Sequence, residues 1–268
     1  MYQLLVKSKV CRKSIRRDYF REAGQYVELY KGVDTWFQRV NRYAGQRKIS
    51  VQHYIISSGL KEIIEGNMIA KEFKRIYASS YLYFADGVAE WPAQSVNYTN
   101  KTQFIFRIAK GKFEEYDESV NDSVSKSELY IPYENIVYIG DSTTDIPCMR
   151  LVKDKGGHSI GVYDPIRNQR RKVYQLFNDG RIDFYAPADY SSKAPLFQYI
   201  KKIIDKISNQ ERIKAEQEIL RTHARAYARY SSLQKLANIA SPNLSNKKRQ
   251  QFLSSVQYFK EQIEGNVD

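Results

Sequence analysis

The segment Ile136-Val-Tyr-Ile-Gly140-Asp141-Ser-Thr-Thr-Asp145 sets two carboxylates four residues apart, directly after a short apolar run that ends in glycine. In open α/β sheets ligands bind beyond the carboxyl ends of the strands. Two carboxylates so close resist joint ionisation unless they share a cation. A hard, oxygen-binding ion such as Mg2+, held by one or two carboxylates plus a substrate phosphate, suits that pair. The ordinary alternative is that Asp145 caps the next helix and Asp141 makes a turn. A second candidate is Tyr54-Ile-Ile-Ser57-Ser58-Gly59, where a hydroxyl ends an apolar strand just before a helix. Ser57 and the amides of Ser58 and Gly59 can hold a phosphate oxygen there, since a helix N-terminus attracts anions; the plain alternative is an N-cap. Lys101 is the third. A cation in the first turn of a helix costs a few tenths to about 1 kcal/mol, which hints at use by something outside the helix. A surface lysine is the simpler account.

These groups need a scaffold, and the 268 residues provide one. With 42% hydrophobic and 27% charged residues the chain has material for a core, which excludes wholesale disorder. No apolar run reaches the roughly 20 residues of a membrane span, and Met1-Tyr-Gln-Leu-Leu-Val-Lys is too short for a signal peptide. Cys11 and Cys148 make neither a disulfide framework nor a metal site. The sequence therefore reads as a soluble, cytoplasmic protein without membrane association. Its net charge of +13 is uneven: +8 over residues 1–50, −1 over 51–200 and +6 over 201–268. Basic ends attract acidic partners in some proteins and are solvated helix faces in more.

Residues 1–48 read as helical and irregular, with a helix capped at Asp34 that turns Phe37, Val40 and Asn41 to one side. Val51–Ser57 reads as a strand, Leu60–Phe73 as an amphipathic helix and Arg75–Phe84 as a second strand. A helix follows from Thr99 or Asn100 to Gly111, then an acidic loop over 112–128. Asn135–Gly140, Ser159–Tyr163 and Asp183–Pro187 are further strand candidates. Such alternation implies an α/β sheet. Asn209–Ala240 reads as one long helix, broken by Ser241-Pro-Asn, and Ser245–Glu264 as another with a Phe252, Val256, Phe259, Ile263 stripe. The boundaries drawn are 1–48, 49–206 and 207–268.

The order strand–Ser, Lys at a helix start, strand–Gly-Asp-x-x-x-Asp resembles the haloacid dehalogenase-like (HAD) hydrolase superfamily, in particular its phosphoserine-phosphatase-like members, over roughly residues 25–206. Ile55-Ile-Ser57-Ser-Gly is similar to that family's second motif, whose hydroxyl binds the phosphoryl group. Lys101 is similar to the third, a lysine that neutralises phosphate and nucleophile. Gly140-Asp141-Ser-Thr-Thr-Asp145 is similar to the fourth, which holds Mg2+. The resemblance implies Asp141 as direct Mg2+ ligand and Asp145 as second carboxylate or orienting group. Thr144 stands where close relatives often carry Asn.

The family's first motif, Asp-x-Asp-x-Thr/Val with its nucleophile, has no counterpart. Upstream of Ser57 the aspartates are Asp18 and Asp34, and neither follows an apolar strand. The resemblance thus implies a HAD-like, Rossmannoid parallel sheet missing its first, central strand. A partial helical cap (1–48), the core (49–206) and a basic helical extension (207–268) complete the expected plan, as if the chain were truncated. With strands about 4.8 Å apart, the strands ending at Ser57 and Asp141 would stand roughly 10 Å apart. The sheet would then be open there, filled by another segment or closed by strained pairing. The implied function is a Mg2+-dependent phosphatase acting on a small phosphorylated substrate, impaired because the nucleophile is absent. The alternative is a non-catalytic phosphate- and Mg2+-binding module with protein partners, or self-association, through its helical tail. Nucleic-acid binding by the Arg221–Tyr230 stretch is a lesser third, since no recognised motif supports it.

Overall fold

The computed structural model describes residues 1–167, 170–240 and 245–264. Runs of β-branched and aromatic residues set the strands. His53–Leu60 (β1) and Phe73–Tyr83 (β2) pair in parallel, and Ala89–Gln94 (β3) returns antiparallel on β2. Val137–Gly140 (β4), His158–Tyr163 (β5) and Phe184–Pro187 (β6) form a second, wholly parallel sheet. The orders β1-β2-β3 and β4-β5-β6 make β1 and β4 edge strands. Every residue of the central β5 is buried, His158 included, as expected for a strand covered on both faces. The described chain is therefore mixed α/β.

Helices Tyr2–Val10 (α1), Arg17–Gln25 (α2) and Trp36–Gly45 (α3) precede the sheets. The next helix is the first correction. The expected Leu60–Phe73 helix is only Lys61–Gly66 (α4), because Leu60 and Phe73 belong to strands. A close backbone crossing ends it. A Cβ on Gly66 would lie 1.9 Å from the Arg21 carbonyl oxygen, and one on Gly24 2.1 Å from that of Ile63. The Asn67 side chain then donates to the Gly24 carbonyl at 3.0 Å. The β3 hairpin was not expected from sequence; Pro92 is tolerated because β3 is an edge.

Helix Thr102–Lys110 (α5) closes on left-handed Gly111 (φ 70°), as expected. Ile146–Asp154 (α6) and Arg170–Asn178 (α7) cover the second sheet. Cys148, Met149 and Val152 of α6 pack with Ile105 of α5 and Tyr138 of β4 in one buried cluster. Pro195–Ala240 (α8) begins well before the expected Asn209, because Leu196, Phe197, Ile200, Ile203 and Ile204 form a buried stripe at helical spacing. Asn246–Glu264 (α9) follows; the expected break at Ser241-Pro-Asn and the side chains of Phe259 and Ile263 lie outside the described residues.

The chain divides into two compact units, residues 1–205 and 206–268. The first holds both sheets and the candidate site. The second comprises the remainder of α8 together with α9, and most side chains described between 209 and 232 are exposed. Among the described residues no helix is long and apolar enough to cross a membrane.

Candidate functional site

At the carboxyl end of β4 the chain turns through Gly140 and folds Asp145 back over the strand. Only glycine permits this: a Cβ on Gly140 would meet the Asp145 Cβ and the Met149 Cε, each at 2.8 Å. Asp145 is 6% exposed and fully engaged. Its Oδ1 accepts from Lys101 Nζ at 2.7 Å and from the Tyr138 hydroxyl at 2.8 Å, and its Oδ2 from the Ser142 amide at 3.2 Å. The Ser142 side chain in turn accepts from the Thr144 amide at 3.1 Å, so the turn is a reciprocal cap. Burial pushes the Tyr138 phenol well above its ordinary value, with the neighbouring Asp145 adding to it; it stays a neutral donor to the carboxylate.

Lys101 occupies the N-cap position of α5, just ahead of the helix, and is 4% exposed. A buried ammonium needs a partner, and Asp145 supplies it. Thr144 Oγ1 accepts a longer bond at 3.4 Å. An ammonium has three donors, so one remains without a partner among the described residues. Asp141 differs from Asp145. It is exposed, and among the described residues no cation pairs with it.

Ser57, Ser58, Gly59, Lys101, Asp141 and Asp145 all line one cavity of about 710 Å3. The structure thus brings the three separated sequence segments together. It also alters the account of one of them. β1 continues to Leu60 and α4 is six residues long, so Ser57–Gly59 lies in an irregular strand end rather than at a helix N-terminus. The Ser57 hydroxyl accepts from the Gly59 amide at 3.0 Å and keeps its own proton to donate.

Three contributors were not among the residues expected from sequence, two of them without a signal there. Tyr30 and Tyr190 line the cavity, and both phenols are raised, first by burial and then by nearby carboxylates: Asp141 for Tyr190, Asp164 and Asp141 for Tyr30. Backbone contacts hold them in place. The Tyr190 amide donates to the Lys31 carbonyl at 2.8 Å, and Arg39 donates to the carbonyls of Gly32 and Tyr190. Gly32 needs its positive φ of 80°, and a Cβ there would strike the Ser191 amide at 2.7 Å. Tyr138 is the third, and it was readable: a tyrosine inside a buried apolar strand must find a hydrogen-bond acceptor. Glu28 adds a further carboxylate to the lining.

Among the described residues no three His, Cys, Asp or Glu side chains cluster as a metal cage. Mg2+ asks for less, one or two carboxylates with the remaining positions taken by water and phosphate. The donor set fits it through Asp141, while Asp145 is committed to Lys101. No protein-family model matches the chain. A protein of Borreliella burgdorferi described only as uncharacterized is 26% identical over 198 residues, covering 68% of this chain and 68% of that one.

Proposed function

We propose that the cavity binds a phosphoryl group together with Mg2+, in the manner of HAD-like phosphatases, and that residues 1–268 alone do not hydrolyse phosphomonoesters at an appreciable rate. The observation that carries this is the convergence of Ser57, Lys101 and Asp141 on one cavity. Lys101 offers its unpartnered donor and Ser57 its hydroxyl to phosphate oxygens. Asp141 holds the cation, which would offset the anion's charge beside the carboxylates Asp141 and Glu28. Asp145 acts by positioning, since its oxygens fix the Lys101 ammonium. Among the described residues the carboxylates lining the cavity are Glu28, Asp141 and Asp145; in this reading Asp141, at the carboxyl end of β4, is taken up by the cation and Asp145 by Lys101. That accounts for binding without efficient attack on phosphorus. A reducing, cytoplasmic setting suits the two free cysteines.

Calorimetric titration with inorganic phosphate tests this. Binding is expected with Mg2+ present, lost with EDTA, and weakened at least tenfold by Asp141→Asn or Lys101→Met. Mg2+-independent binding that survives both substitutions would refute it. Hydrolysis of p-nitrophenyl phosphate at ordinary enzymatic rates, abolished by Asp141→Ala, would refute the inactive state alone.

A further inference from the structure

Helix α1 shows water an apolar stripe. Of its nine residues only Leu5 is buried, packed with Tyr81 and Ala89 of the β2–β3 hairpin. Tyr2, Val6 and Val10 recur every four residues and so lie along one side of the helix. All three are exposed, Val10 at 78%. The stripe continues onto the sheet. The Tyr2 ring meets that of Trp91 edge-on, with centroids 6.0 Å apart, and Leu82 is the cross-strand partner of Trp91. Directly opposed residues of two strands share one face of the sheet. Leu82 and Trp91 are exposed as well, Trp91 at 59%. A contiguous apolar patch marks an interaction surface, which single scattered side chains do not.

Positive charge borders this patch. Residues 1–17 contain six Lys or Arg and no Asp or Glu. Lys7 and Lys9 fall on either side of the Tyr2–Val6–Val10 line, and Arg12 and Lys13 follow the end of α1; all four are exposed. Among the described residues none of the four makes an ion pair. The residue types narrow the occupant. A single-stranded nucleic acid would stack on Tyr2 and Trp91, but two valines and a leucine offer a base no ring. Protein interfaces are depleted of lysine, whereas Lys7 and Lys9 adjoin the stripe. A bilayer surface takes both kinds of group. Aliphatic and aromatic side chains sit at the headgroup boundary, while lysine stems cover apolar surface and their ammonium groups reach phosphate. Anionic lipid also supplies the countercharge that residues 1–17 lack.

We propose that α1 and the Leu82–Trp91 face form a peripheral docking surface for an anionic lipid bilayer. Tyr2, Val6, Val10, Leu82 and Trp91 enter the headgroup region, and Lys7, Lys9, Arg12 and Lys13 pair with lipid phosphates. No membrane association was expected from a sequence without a spanning segment, but contact of this kind needs none: the chain lies on the bilayer and does not cross it. None of these residues lines the cavity proposed to bind phosphate, so either proposal can fail while the other stands.

The test uses the full chain and vesicles of phosphatidylcholine, with and without phosphatidylglycerol. Sedimentation should show saturable binding to the anionic vesicles, at least tenfold weaker affinity for the neutral ones, and loss of binding as salt is raised. Of the two tryptophans, Trp36 is buried, so lipid with brominated acyl chains should quench Trp91 and leave the Trp36 emission. Val6→Asp/Val10→Asp and, separately, Trp91→Ser should each lower affinity for anionic vesicles at least tenfold with circular dichroism unchanged. No binding, or binding without quenching, would overturn the proposal on the unmodified protein, whatever the variants do. So would binding that both variants retain, which would assign it to basic charge elsewhere in the chain. Equal affinity for soluble polyglutamate would identify an acidic protein as the occupant, and a free chain that dimerises until Val6→Asp/Val10→Asp is introduced would identify a second copy. Either result would refute the lipid surface.

Discussion

The Lys101–Asp145 pair is the energetic centre of the site. Both groups are buried, so removing one partner strands a charge in a low-dielectric setting, at a cost of about 3–5 kcal/mol. Asp145→Ala and Lys101→Met should each lower stability by that order in urea unfolding. The double substitution Lys101→Met/Asp145→Leu should recover much of the loss, since two apolar groups leave no unpaired charge. A double mutant as unstable as the sum of the singles would contradict this coupling. The two cysteines offer an independent check on packing beneath the site. Burial pushes the Cys148 thiol up to about 11, so little thiolate exists at pH 8.5, and the sulfur is inaccessible. Iodoacetamide at that pH should label the exposed Cys11 and leave Cys148 unmodified until denaturant is added. At this scale the sequence exposed part of the site. The Gly140-Asp141-x-x-x-Asp145 spacing was legible because it is local. Tyr30 and Tyr190 were not, because they line the cavity from loops fixed by Arg39 and Gly32, far from Asp141 in sequence.

The strands illustrate what local pattern can and cannot carry. β4 follows from a short, almost wholly apolar run of the kind buried in parallel sheets, while β2, with exposed Lys74 and Arg75, and β6 follow from their aromatic and β-branched residues. α4 is shorter than its periodicity implies because its end is set by a long-range contact, the Gly24–Gly66 crossing, which no window of sequence contains. β3 was hidden by Pro92, which argues against a strand unless the strand is at an edge. Gly66→Ala should separate α2 from α4 and destabilise the protein by about 1–3 kcal/mol, read as a lower urea midpoint, whereas Gly156→Ala should act only through its positive φ of 87°, having no neighbour within 4 Å of its added Cβ. Gly140→Ala should do more than destabilise. By displacing Asp145 it should free Lys101 from its position and abolish Mg2+-dependent phosphate binding. Retained binding in a folded Gly140→Ala variant would show that the turn does not position the lysine.

Across the whole molecule, the architecture divides near residue 205, whereas the charge changes both there and near residue 50, inside the first unit. Residues 1–205 contain both sheets and the cavity, and the described part of 206–268 is helical and largely exposed where its side chains are described. Limited trypsin digestion should therefore cut first among Arg212, Arg221, Arg225 and Arg229 and leave a fragment ending near residue 205 that still binds phosphate. Initial cleavage between residues 53 and 163 would contradict the division. The central claim is that three separated segments form one anion- and cation-binding site. Its most direct test is a crystal of the full chain soaked in Mg2+ and tungstate, a heavy phosphate surrogate visible by anomalous scattering. The account predicts a tungsten peak in the cavity between β1 and β4, within hydrogen-bond reach of Lys101 Nζ and Ser57 Oγ, with octahedral Mg2+ density on Asp141. Tungsten confined to the basic helices of 206–268, with the cavity holding only water, would contradict it.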